Sequence, residues 1–352
     1  MKIIFLTSDL KQIGGIQHYN GILLRVLRDL GEDIRMIELE NTSFLSKARF
    51  AAKFLFESAR FRPHIVFCTH VNFSLLCYVS KLFFGAKYVV ETYGIDVWRV
   101  SNPFYRHALR GAEKVAVVAP YTGDRLTSQM PNLKEKIYYL PNTVDASVFT
   151  PRAKSAALVS RHNLQDSKVI LTVARLSASE QYKGYDRVIE ALPQVAREVP
   201  NVKYLLVGDG DDAERVRGII KSAGLEAKVI MAGSIREEEK VDYYNVADAF
   251  VMPSKGEGFG TVYLEALSCG KPVVAGNADG SRSALLSGEL GVLVNPENTA
   301  EIAEAIVNIF KGRGPKHLLD ADIIRKKTIE TYGVEKFKER VGALLREVAE
   351  QT

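Results

Sequence analysis

Short apolar, β-branched runs alternate with amphipathic stretches along nearly the whole chain. That alternation admits few folds other than parallel strands joined by crossover helices. In the first half the runs fall near residues 2–7 (KIIFLT), 34–39, 64–68 (HIVFC), 87–91, 114–119 (KVAVVA) and 136–140. The segment PNTVDASVFTP, from Pro141 to Pro151, then breaks the pattern and reads as a connection between domains. A second series follows near 168–174 (KVILTVA), 203–207 (KYLLV), 228–231, 248–252 (DAFVM), 272–275 (PVVA) and 291–294, ahead of helical stretches at about 317–331 and 334–350. The spacing therefore predicts an α/β protein of two similar domains, 1–150 and 151–330, with a C-terminal helix over 331–352 that returns to the first. Ligands bind outside the carboxyl ends of strands in open α/β sheets, so the expected site is a cleft bordered by both sheets.

Composition narrows the classes. A chain of 352 residues exceeds what one core ordinarily supports. Cys68, Cys77 and Cys269 are odd in number and form no CxxC pair, so neither a disulfide framework nor a cysteine zinc site is indicated. The opening MKIIFLTSDLKQ lacks a cleavage site, and no later run approaches a membrane span, which together predict a cytoplasmic protein. Residues 1–150 hold 19 Lys and Arg against 13 Asp and Glu, and the remainder 28 against 29. A first half at +6 suits an anionic ligand or membrane surface. Without interleaved aromatics it does not indicate nucleic acid.

The most specific segment is SKGEGFGTVYLEAL, Ser254 to Leu267, which places a glycine-rich turn between a strand and a helix. With a helix starting near Gly258, the amides of Gly258, Phe259, Gly260 and Thr261 point outward at the positive end of the helix dipole, an anion site. Glu257 and Glu265 then stand roughly 10 Å apart along the axis. An anion with hydroxyl-bearing groups on both sides describes a nucleoside diphosphate sugar. Arg175 closes the strand KVILTVA, Lys183 heads KGYD at the next helix, and Gly14 and Gly15 form a glycine loop after the first strand.

Four features occur in order: PNTVDASVF, LTVARL with YKGYDRVIEAL, Glu257 to Glu265, and CGKPVVAGN. Together they resemble the retaining glycosyltransferases of family 4 over nearly the whole chain. The resemblance implies the GT-B architecture, two Rossmann-like domains with parallel sheets facing across a cleft, the donor in the second and the acceptor in the first. It assigns Glu265 to the donor ribose, Glu257 to the transferred sugar, and Arg175 and Lys183 to the diphosphate. It places Gly14 and Gly15 beside the phosphates, and Gly233, Ser234 and Ile235 at the base. The donor is then a UDP-, GDP- or ADP-sugar, the acceptor a hydroxyl, lipid-linked or soluble, with no metal or other cofactor. Asp209-Gly210-Asp211 spells a metal-binding DxD pattern of a different glycosyltransferase fold and reads here as a turn.

The chain departs from the family twice. Tyr93-Gly94-Ile95-Asp96 stands where many relatives carry His-Gly-x-Asp, and Ser283 where many carry glutamate. Tyr93, Asp96 and His18 remain the acceptor-side candidates, although a tyrosine is no base near neutral pH. A sugar-nucleotide epimerase or hydrolase would bind the same donor. A nucleotide-dependent oxidoreductase is disfavoured because no GxGxxG follows the first strand. Finally, a helix over 44–62 would place Phe44, Leu45, Ala48, Ala51, Ala52, Leu55, Phe56 and Ala59 on one face. Phe50, Phe54 and Phe61 form a separate stripe near Lys47, Arg49, Lys53 and Arg60, an arrangement that suits an anionic membrane and peripheral attachment at its inner face. The competing reading packs those phenylalanines against a neighbouring helix.

Overall fold

The computed structural model describes residues 1–10 and 14–350. All twelve apolar runs form strands, and the chain divides into two compact units, Met1–Thr143 with the segment from Val334 onward, and Val144–Gly333.

The first unit runs β1 (Lys2–Ser8), α1 (Gly15–Asp29), β2 (Asp33–Leu39), α2 (Phe44–Phe61), β3 (Ile65–Cys68), α3 (Ser74–Phe84) and β4 (Lys87–Thr92). It continues through α4 (Pro103–Gly111), β5 (Lys114–Val117), α5 (Pro120–Gln129) and β6 (Ile137–Tyr139). Its parallel sheet has the order β2-β1-β3-β4-β5-β6. Both faces are covered, which is why these strands read as continuous apolar runs. Ile4 and Leu6 of β1 join a core with Phe50, Phe54 and Phe61 of α2. Ile3 and Phe5, on the other face, pack with Leu23 and Leu27 of α1.

The second unit holds α6 (Ala156–Arg161), β7 (Lys168–Val173), α7 (Tyr185–Glu198), β8 (Val202–Val207), α8 (Ala213–Ser222), β9 (Val229–Gly233) and α9 (Lys240–Val246). After these come β10 (Ala249–Met252), α10 (Thr261–Ser268), β11 (Val273–Gly276), α11 (Ser281–Ala284), β12 (Val292–Val294), α12 (Thr299–Phe310) and α13 (Ala321–Tyr332). Its sheet, again parallel, has the order β12-β11-β10-β7-β8-β9. The last helix, α14 (Val334–Glu350), belongs to the first unit. Phe337 meets Tyr19 at 5.4 Å between ring centroids, and the Tyr138 hydroxyl donates to the Arg340 carbonyl at 2.8 Å.

The division falls at 143/144 and 333/334 rather than at 150 and 330. Phe149 is the reason for the first difference: it is buried against Tyr244 of α9, and Arg325 donates to its carbonyl at 2.7 Å, so the proline-bounded segment packs from Val144 onward as part of the second unit. At the other end α13 continues to Tyr332, and a backbone bridge joins Val144 to Gly333.

Helix α2 forms as the spacing predicts, with Ser43 capping the Ser46 amide and the left-handed Arg62 ending it ahead of Pro63. The membrane reading of its aromatic stripe is overturned. Phe50, Phe54 and Phe61 are buried, with Phe50 at 5.0 Å from Phe73, while Phe44, Leu45 and Phe56 are exposed. The face expected inside is half alanine and too small to fill the space under a helix, whereas three buried phenylalanines fill it. Phe54→Ala is expected to destabilise the first unit by about 3–5 kcal/mol, against at most about 0.5 kcal/mol for Phe56→Ala, as measured by urea unfolding.

Candidate functional site

Strand order in the second sheet reverses between β7 and β10, and the loops after these two strands carry Arg175, Lys183 and Glu257. Crevices for ligands open at such reversals. The loops touch through backbone: the Lys255 amide donates to the Tyr182 carbonyl at 2.9 Å, and a Cβ on the left-handed Gly184 would lie 2.4 Å from the Pro253 carbonyl oxygen. That contact brings the Lys183 ammonium to 2.6 Å from Glu257 Oε1, with both side chains largely buried. Burial alone would lower the Lys183 pKa, but the Glu257 carboxylate outweighs it and holds the pKa above its ordinary value. Glu180 stands 3.6 Å from Lys183 and also pairs with Arg175, whose side chain is 71% exposed. Arg175, Lys183 and Glu257 are thus brought together, with Glu180 between the two cations.

The glycine-rich turn is ordered by a residue that sequence reasoning passed over. Asp279, buried in the loop after β11, accepts from the Glu257 amide at 2.6 Å, the Ser254 hydroxyl at 2.8 Å and the Ser281 amide at 2.9 Å. Burial raises its pKa and these hydrogen bonds oppose the rise. A Cβ on Gly280 would sit 2.0 Å from the Gly258 carbonyl oxygen, so the two turns approach as only glycine allows. Helix α10 begins at Thr261, three residues later than expected, because Gly260 takes a left-handed φ of 87°. Phe259 is buried on Tyr332 at 5.5 Å, so its side chain is core and only its backbone faces the turn.

Glu265 lies in the second turn of α10 and is 3% exposed. Its oxygens accept from Lys240 at 2.9 Å and Tyr244 at 2.6 Å, and each keeps acceptor capacity for a further hydroxyl. Burial would lower the Lys240 pKa, yet Glu265 and Glu237 raise it overall. Gly233 ends β9 and Ser234 and Ile235 follow it at the same carboxyl edge, the Gly233 carbonyl accepting from the Gly208 amide at 2.9 Å. The acids of the DGD turn accept from backbone amides, Asp211 from Ala178 in the loop after β7 and Asp209 from Gly210. Among the described residues no three His, Cys, Asp or Glu side chains are grouped to hold a metal. Ser283 lies in α11, where its carbonyl accepts from the Tyr332 hydroxyl.

In the first unit, Gly14 and Gly15 lead into α1, while residues 11–13 of the same loop lie outside the described residues. His18 lines a shallow surface pocket with Gln17 and Arg25. Tyr93 turns its hydroxyl to Asn20 at 2.6 Å, and Asp96 accepts from the Tyr93 and Gly94 amides. The imidazole beside Asp96 is His70, another residue not singled out from sequence. Burial lowers its pKa and Asp96 opposes the fall, while its Nδ1 accepts from the Asn72 amide at 3.1 Å. Thr69, Glu91, Asp96 and Asn20 each leave a buried polar atom without a hydrogen-bond partner.

The family described as Glycosyl transferases group 1 matches residues 157–327. The chain is 33% identical over 239 residues to the GDP-mannose-dependent alpha-(1-6)-phosphatidylinositol monomannoside mannosyltransferase of Mycolicibacterium smegmatis, a stretch covering 64% of this chain and 62% of that protein. It is 28% identical over 239 residues to the alpha-D-kanosaminyltransferase of Streptomyces kanamyceticus, covering 66% and 58%. The match thus spans about three fifths of each relative's length. Solved structures share the fold, among them the following two. Sucrose-phosphate synthase from Thermosynechococcus elongatus has a TM-score of 0.82 at 20% identity, with 100% of both chains covered. Anabaena Alr3699/HepE in complex with UDP has 0.79 at 19%, with 98% of this chain and 100% of that chain covered. The architecture is GT-B.

Two outcomes are expected of the site as built. Gly280→Ala forces the turn after β10 aside, so nucleoside diphosphate affinity should fall at least about tenfold in calorimetric titration. Asp212, which also holds Gln181 at 2.9 Å and Tyr185 at 2.6 Å, has its carboxyl pushed down to about 2 by hydrogen bonds from Arg215. A depressed carboxyl pKa stabilises the fold above the unfolded value near 4, and that contribution disappears as pH falls toward about 2. Asp212→Asn should therefore flatten the loss of stability across that acid range in urea titrations.

Proposed function

We propose that this chain, whose residues 157–327 match the family described as Glycosyl transferases group 1, moves a hexosyl group from a nucleoside diphosphate sugar to a hydroxyl acceptor with retention at the anomeric carbon. The observation that carries the proposal is the Lys183–Glu257 pair at the point where strand order reverses, on the glycine turn that Asp279 orders. As the glycosyl phosphate bond breaks and the bond to the acceptor oxygen forms, negative charge builds on the departing diphosphate, and one of its phosphate oxygens takes the acceptor's proton. Lys183, Arg175 and the amides of the turn supply fixed positive charge there, which lowers the barrier without a proton donor and without a metal. Glu257 accepts from hydroxyls of the transferred sugar, and its charge keeps Lys183 protonated. Glu265 accepts from the ribose hydroxyls while Lys240 and Tyr244 hold its carboxylate in place.

Of the three nucleotide classes, guanosine is the reading that the mannosyltransferase relatives favour, and mannose the sugar. Their phosphatidylinositol monomannoside acceptors favour a lipid-linked hydroxyl here, with the protein working peripherally at the inner face of a bilayer.

Calorimetric titration of GDP, UDP and ADP, with and without EDTA, tests the donor side. Micromolar GDP binding that ignores EDTA and weakens at least about tenfold in Glu265→Ala is expected; absence of binding by all three overturns the assignment. Lys183→Ala and Glu257→Gln should each lower turnover by about a hundredfold or more with circular dichroism unchanged.

A further inference from the structure

We infer that the outer faces of α2 and α3 form a docking surface for an anionic lipid bilayer. The inference extends the reading of a lipid-linked acceptor but stands on observations of its own.

Large apolar side chains point away from the core on both helices, which pack side by side. On α2 these are Phe44, 87% exposed, Leu45 and Phe56; on α3 they are Leu75, Leu82 and Phe83, the last 75% exposed. The spacings are helical: 45, 52 and 56 share one face of α2, and 75, 82 and 83 one face of α3. A monomeric soluble protein seldom leaves so many large apolar groups in water on neighbouring elements.

Charge identifies the occupant. Helices α2, α3 and α4 together contain a single carboxylate, Glu57, which is tied to Arg35. The exposed polar positions of α2 are instead Lys47, Arg49, Lys53 and Arg60. Apolar groups rimmed by cations match the boundary between acyl chains and anionic headgroups. A second copy of this chain is the poorer partner, because a twofold contact would set the same four cations against themselves. No described helix is long and apolar enough to cross a membrane, so the contact is made by side chains lying on the surface.

Sedimentation of the full chain with phosphatidylcholine vesicles, with and without phosphatidylglycerol, tests this. Binding is expected only to vesicles containing phosphatidylglycerol, with release at high salt and a loss of roughly tenfold or more in Phe56→Glu/Phe83→Glu. Since all these side chains are exposed, the variant should keep its circular dichroism and melting temperature. Lys53→Glu/Arg60→Glu provides a second variant, expected to lose binding while retaining every apolar residue. No sedimentation of the wild type, binding unchanged in both variants, or a concentration-dependent dimer abolished by the same substitutions would overturn the inference. GDP titration of the same preparations separates it from the catalytic reading: vesicle binding without nucleotide binding leaves the surface standing and the donor site fallen, and nucleotide binding without vesicle binding the reverse.

Discussion

Two backbone contacts support everything the second unit can do with a ligand. The Lys255 amide on the Tyr182 carbonyl fastens the loop after β10 to the loop after β7, and Gly280 against the Gly258 carbonyl fastens it to the loop after β11. Side chains from three crossovers then converge without any of them having to bend. Parallel sheets make such contacts available because every strand ends on the same edge, and the order reversal between β7 and β10 opens the gap between two of those ends.

Within that frame the charges are buried in pairs. Lys183 with Glu257, and Lys240 with Glu265, each combine an ammonium largely withdrawn from water with a carboxylate more than four-fifths buried. An isolated charge at either place would carry a penalty of several kcal/mol, which is why the removal of one partner harms more than removal of both. Each carboxylate still has lone pairs free for hydroxyls, so a ligand can be added without breaking the pair. Asp279, Tyr244 and Glu180 steady these groups from behind, and the site is organised before a ligand arrives.

The strands were legible because burial on both faces writes them as unbroken apolar runs, and the convergence of Arg175, Lys183 and Glu257 because they flank such runs. What escaped the sequence depends on contacts between distant segments. Asp279 meets the Glu257 amide across 22 residues and Glu265 meets Lys240 across 25, and no local pattern announces either. The start of α10 was misplaced because a glycine can open a helix or precede it, and only the φ of Gly260 decides. The buried face of α2 was inverted because counting apolar positions gives alanine the weight of phenylalanine, while filling a core depends on volume. Phe149 moved the domain boundary for a similar reason: one ring in a pocket outweighs two prolines in the chain.

The return of α14 to the first unit has a consequence for how the molecule is made. The second unit is inserted between β6 and α14, its ends joined by the bridge between Val144 and Gly333. During synthesis the first sheet emerges early, yet the face bearing Tyr19 and Phe5 lacks Phe337, Leu344 and Val348 until the final helix leaves the ribosome. The second unit, continuous in sequence, has every residue it needs once Gly333 is added, one helix earlier. The part of the protein translated first is therefore the last to be completed, and a nascent chain spends the intervening time with one apolar sheet face open to chaperones.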